Sequence, residues 1–144
     1  MTNDTLYAIA EDDGIPIVPF SLGRIEAMSY MSSKGKFYIA IDPERIKSKQ
    51  DEKIKLSHEL GHCVTGSFYN VYATCDVWKK HENRANKNSV QRLVPKDELD
   101  EAVSAGFTES WQLAEYFDVP VDFMKMACHW YKHHNMDLAA QGGL

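Results

Sequence analysis

The stretch Lys55-Leu56-Ser57-His58-Glu59-Leu60-Gly61-His62-Cys63-Val64 constrains this chain more than any other. On a helix, His58 and His62 lie one turn apart on the same face, separated by about 6 Å along the axis. Two imidazoles so placed grip one Zn²⁺ at Zn–N distances of roughly 2.0–2.1 Å. Glu59, next to the first histidine, is too close in sequence to share the metal easily. It is well placed to take a proton from an attacking water. The pattern points to a zinc hydrolase.

The flanking residues supply the helix that this geometry needs. Asp51 is the expected N-cap, and Glu52 suits the positive end of the helix dipole. Ile54, Leu60, Cys63 and Val64 add apolar positions around the histidines. Thr65-Gly66 gives a stop, with glycine available for a left-handed residue. Gly61, inside the helix, is locally unfavourable by about 1 kcal/mol relative to alanine. Its presence suggests that another backbone approaches closely beneath the site.

The whole chain sets wider bounds. Its 144 residues suffice for one domain, 1–144, with a real core and no disulfide staples. A net charge of −5 and the lack of a long basic run argue against a general nucleic-acid binder. Cys63, Cys75 and Cys128 are odd in number and include no Cys-x-x-Cys pair, so neither a disulfide framework nor a cysteine zinc knuckle is expected. Cys63 reads as a small core residue rather than a nucleophile. Met1 to Thr5 shows no basic-then-apolar leader, and no apolar run approaches the roughly 20 residues of a membrane span. The expected location is cytoplasmic.

Periodicity predicts an α+β chain with a small sheet followed by a mostly helical C-terminal half. A helix over 3–12, with Leu6, Ile9 and Ala10 as its stripe, precedes an extended segment, 15–20, in which Pro16 and Pro19 suggest a sheet edge or a strand with interrupted pairing. Residues 24–30 and 37–41 read as a hairpin leading into the histidine helix, Phe37 to Ile41 being the clearest strand. Its aromatic residues are read as core. Residues 67–78 lack a clean period and read as a loop around the site. Helices follow over 79–93 (buried line Ala85, Ser89, Val90, Leu93), 96–105, 109–117 capped by Thr108, and 121–133. Residues 108–134 thus form a helical subregion, and the tail 135–144 is expected to fray.

Two histidines leave a zinc site incomplete, since a catalytic zinc commonly takes three protein ligands. Asp76, His81, Glu82 and the later histidines are the candidates. The six histidines also invite a second metal site at His129, His133 and His134, the first two at i, i+4 spacing. Trp130 and Tyr131 point instead to a mixed packing face, and no acidic partner is near.

The segment Lys80-His81-Glu82-Asn83-Arg84-Ala85-Asn86, ending in Leu93-Val94-Pro95, resembles the ImmA/IrrE family of zinc metallopeptidases. Gly14-Ile15-Pro16-Ile17, Ile39-Ala40-Ile41, the Leu56 to His62 core and Leu113 to Val121 stand in family order. The resemblance therefore covers nearly the whole chain. It departs at Val94, where methionine is usual, and in lacking an arginine on the last helix. It implies a zincin-like fold, with a small twisted sheet packed against the active-site helix. It also implies that Glu82, from Glu-x-x-Ala-Asn, is the third zinc ligand. Adjacent helical residues point about 100° apart, so His81 and Glu82 cannot both face the metal well. Asn86, one turn after Glu82, is placed to orient a ligand by hydrogen bonding.

The expected chemistry is zinc-assisted peptide hydrolysis, with Glu59 as general base. An extended substrate would add to a sheet edge, for which the 37–41 strand is the candidate. The resemblance implies a protein substrate, a helix-turn-helix repressor encoded in a prophage or mobile element, whose cleavage relieves repression. No direct nucleic-acid or membrane contact is expected, and the sequence does not give the oligomeric state. Two other readings stand beside this one. The first is a zinc-containing module that binds such a repressor without cutting it. The second is a DNA-binding regulator using the helices at 109–133, which the acidic balance weighs against.

Overall fold

Helical and extended periods separate along the chain as its hydrophobic pattern requires. The computed structural model describes residues 1–66, 68 and 75–134, the side chains of 75–78 and 134 excepted. Among these residues the architecture is α+β, with a three-stranded mixed sheet and six helices. The elements are α1 (Asn3–Asp12), β1 (Ile17–Pro19), β2 (Ala27–Met31), β3 (Phe37–Ile41), α2 (Lys49–Thr65), α3 (Cys75–Leu93), α4 (Lys96–Ser104), α5 (Ser110–Phe117) and α6 (Val121–His134). Two compact units are distinguished, Met1–Arg92 and Leu93–Leu144. No helix among the described residues is long and apolar enough to cross a membrane.

In the first unit the strand order is β1-β3-β2. β3 pairs in parallel with β1, Ile17 opposite Ile39, and antiparallel with β2, Ser29 opposite Ile39. The strand expected to offer an edge is therefore the central one. Its continuous apolar character, Phe37-Tyr38-Ile39-Ala40-Ile41, fits a strand paired on both sides. Pro19 falls on the outer strand β1, where a missing N–H costs no ladder bond.

Ile39 and Ile41 of β3 are buried together with Leu56 and Leu60 of α2 and with Leu6 and Ala10 of α1. α2 packs on β2, β3 and α1. Asn3 donates to the Lys49 carbonyl (3.0 Å) and to Glu52 Oε1 (3.2 Å), and the Tyr7 hydroxyl donates to the same oxygen (3.2 Å), tying α1 to the start of α2. That start is capped by Ser48, whose Oγ accepts from the Asp51 amide at 3.0 Å; Asp51 sits inside the first turn instead of capping it. Gly66 ends α2 in the left-handed region, φ 64°, as its position requires. Val64 faces solvent, 52% exposed, rather than the core.

α3 begins at Cys75, one turn before the aperiodic stretch was expected to end. The rest of that stretch, apart from Phe68, lies outside the described residues, as does the tail 135–144. Ala85, Ser89, Val90 and Leu93 form the buried line of α3.

The second unit packs α4 against α5 and α5 against α6. Leu99, Leu113, Phe117, Phe123, Met124 and Tyr131 supply its core. Tyr131 donates its hydroxyl to the buried Val94 carbonyl at 2.6 Å. The α5 N-cap is Glu109 rather than Thr108, in a capping box with Gln112. Asp118, at φ 53°, turns the chain from α5 to α6.

Candidate metal centre

α2 and α3 run antiparallel, with contacts at Ser57–Arg92, Gly61–Ala85 and His62–Glu82. Gly61 sets their spacing. A Cβ placed on it would lie 2.6 Å from the Ala85 carbonyl oxygen and 3.0 Å from its Cα. The glycine inside the helix is thus the point where a second backbone comes close. That approach carries the next turn of α3, with Glu82, over the histidine face of α2.

There the side chains converge. His58 Nε2 lies 2.9 Å from Glu82 Oε2, and His62 Nε2 lies 3.3 Å from Glu82 Oε1. The imidazole rings meet edge to face, centroids 4.9 Å apart. One donor atom from each of His58, His62 and Glu82 lies within 4.8 Å of the others. Around a tetrahedral ion with ligand distances of about 2.0–2.2 Å, donors stand roughly 3.3 Å apart. The observed nitrogen–oxygen separations fit one small cation, and this group can hold a metal ion. His62 is buried, with 6% of its side chain exposed, whereas His58 and Glu82 are 24% and 22% exposed. The cluster is closed beneath and accessible from above.

Asn86 decides which nitrogen of His58 is offered. Its Oδ1 lies 2.9 Å from His58 Nδ1. An amide oxygen accepts, so Nδ1 carries a proton and Nε2 is the nitrogen turned to Glu82, the one a bound metal ion would take in place of a proton. Hydrogen bonds from His58, then His62, hold the Glu82 carboxyl well below the usual carboxylate range, outweighing its partial burial. Glu82 is therefore anionic, as a ligand must be.

The neighbours complete the description. Glu59 is half-buried and, among the described residues, has no hydrogen-bond or ion-pair partner. Burial, reinforced by the charge on Glu59, pushes the Cys63 thiol up to about 12, which removes it as a nucleophile. His81 is half-buried and outside the cluster, as the angular offset from Glu82 requires. The side chain of Asp76 lies outside the described residues.

Two contributors were not singled out in the sequence. Phe68 lies beside His62, centroids 6.2 Å apart, and stacks on Phe37 of β3 at 5.3 Å. Arg92 donates to the Ser57 carbonyl (2.9 Å) and hydroxyl (3.1 Å) and to Asn88 Oδ1 (2.5 Å), clamping the end of α3 to the turn before His58. A signal for it existed: Glu82, Ala85, Ser89 and Arg92 recur at helical spacing on one stripe.

The stretch from His129 to His133 is mixed in its burial, with Tyr131 buried and Trp130 half-buried. The buried residues of α6 are Phe123, Met124, Ala127 and Tyr131, while both histidines are exposed. Compared with known proteins, the chain matches no family model and no curated sequence.

Proposed function

We propose that this chain is a zinc-dependent endopeptidase of the ImmA/IrrE type, with a zincin-like fold. The observation that carries this reading is the convergence of His58, His62 and Glu82, with an unengaged Glu59 beside the first histidine. Two imidazoles, one carboxylate and an accessible side make a donor set suited to hydrolytic zinc. A Zn²⁺ ion held there supplies Lewis acidity, polarising a carbonyl and lowering the pKa of water toward ~7.

The chain's own residues do the remaining work. Glu59 takes the proton of the attacking water and returns it to the leaving amine. Asn86 keeps His58 in the tautomer that ligates. The outer edge of β2 orients an extended peptide. The Asp42 amide donates to the Glu26 carbonyl and the Ser32 amide to the Lys36 carbonyl, both at 2.8 Å. By antiparallel alternation Met28 and Tyr30 bond to β3, while Ala27, Ser29 and Met31 turn their N–H and C=O groups outward. β2 packs against α2, and among the described residues no further strand pairs with this edge, which could take an added strand. The substrate we propose, from the resemblance in sequence, is a helix-turn-helix repressor of a prophage or mobile element.

The test is Glu59→Gln against wild type, with zinc content and cleavage of neighbouring-gene repressors read together. Wild type is expected to cut while the variant keeps zinc and does not cut. Zinc in both proteins, with repressor binding but no cleavage by wild type, would favour the non-catalytic binding module.

A further inference from the structure

We propose that Arg92 is a positioning residue, a role that rests on the metal centre read from His58, His62 and Glu82. It fixes the axial register of α3 on α2, so that Glu82 comes level with both histidines. One terminal nitrogen of its guanidinium donates to the Ser57 carbonyl at 2.9 Å and to the Ser57 hydroxyl at 3.1 Å. The other donates to Asn88 Oδ1 at 2.5 Å, which aims the planar fork from within α3. The Ser57 carbonyl shares its peptide bond with the His58 nitrogen, so the fork grips the main chain at the first ligand. Ser57 is fully buried and Arg92 half-buried, and Asp13, at the end of α1, sets a compensating negative charge nearby.

Gly61 against Ala85 sets how closely the two helices approach. A glycine has no side chain to interlock, so this contact does little to stop one helix sliding along the other. Arg92 lies about 10.5 Å beyond Ala85 along α3, whereas Ser57 lies about 6 Å beyond Gly61 along α2. Helical side chains lean toward the amino end of their own helix, and the long arginine stem spans the difference of about 4.5 Å. A slide of one turn, about 5.4 Å, breaks the fork and in one direction carries Asn86 to the level of Glu82. The histidines would then face a neutral amide in place of a carboxylate. Specifying register is the best-attested use of a buried charged group, and here the register decides the donor set.

The test compares the full chain with Arg92→Met, Arg92→Lys, Glu82→Ala and the double variant Arg92→Met/Glu82→Ala. Zinc affinity is read by competition with a chelator of known affinity, coordination by the visible spectrum of the cobalt(II) form, and stability by urea unfolding without metal. Methionine keeps the length and the helix preference, and an apolar side chain of similar volume often replaces a buried charge without loss of stability. We expect Arg92→Met to unfold near the wild-type urea midpoint, yet to bind zinc about 10-fold more weakly and to alter the cobalt spectrum. Arg92→Lys, with a charge but no fork, should fall between. In the Glu82→Ala background the methionine should change affinity little, because the ligand it positions is gone. Equal zinc affinity in wild type and Arg92→Met would overturn the proposal, and so would the same loss with Glu82 already removed. Zinc held as expected by a wild type that cleaves no repressor would sink the peptidase reading alone; a wild type that takes up no zinc would sink both.

Discussion

Gly61 of α2 lies against the main chain of Ala85 of α3, leaving no room for a methyl group between them. This contact lets Glu82 reach the two histidines. Gly61→Ala brings the new carbon to 2.6 Å from a carbonyl oxygen that no rotamer can move. The helical gain of about 1 kcal/mol is opposed by an overpacking cost of roughly 1–3 kcal/mol. We expect net destabilisation in urea unfolding and weaker metal retention. A more stable alanine variant would show that the helices can separate freely.

Asn86→Ala removes the acceptor that fixes His58. Losing such an outer partner lowers metal affinity by about 10- to 100-fold. The change is read by competition with a chelator of known affinity. Asn86→Asp, which keeps an acceptor oxygen, should recover most of the loss. Equal affinity in all three proteins would remove Asn86 from any orienting role.

Ser89 is 2% exposed, and among the described residues its Oγ finds no hydrogen-bond partner. An unsatisfied buried hydroxyl is costly, and alanine is also the better helix former. Ser89→Ala should therefore stabilise the protein by about 0.5–1.5 kcal/mol. A raised urea midpoint at constant slope is the expected result; a lowered midpoint contradicts it.

Tyr131 gives the second unit a pH dependence. Burial first, and then the charges of Asp97 and Asp100, push its phenol from 10.0 up to about 12. The native state therefore holds this proton more tightly than the unfolded chain does. That contribution is complete below pH 10 and is lost as the pH rises through about 12. Tyr131→Phe should cost about 1 kcal/mol near neutrality, through the bond to Val94, and should flatten the alkaline decline. Melting temperatures across the alkaline range check both effects, and an unchanged alkaline slope would exclude Tyr131 as their source.

What the sequence determined by itself is what local periodicity and local sterics control. The spacing of His58 and His62 on a helix, the left-handed stop at Gly66, the strand Phe37 to Ile41 and the buried line of α3 all depend on neighbours within a turn or two. Gly61 also announced a close approach, because a glycine inside a helix is unfavourable unless something else needs the space.

Tertiary structure decided the rest, through pairings that span long stretches of chain. Asn86 reaches His58 across 28 residues, and Arg92 reaches Ser57 across 35. No local pattern specifies such distances. β3 became central rather than an edge because β1 pairs on its far side, and that choice moved the open edge to β2. The side of α6 that was buried was equally a matter of packing: its core took Phe123, Met124, Ala127 and Tyr131 and left the paired histidines in solvent. Spacing fixed which side chains could share a face. Only the packing of distant elements determined what that face would meet.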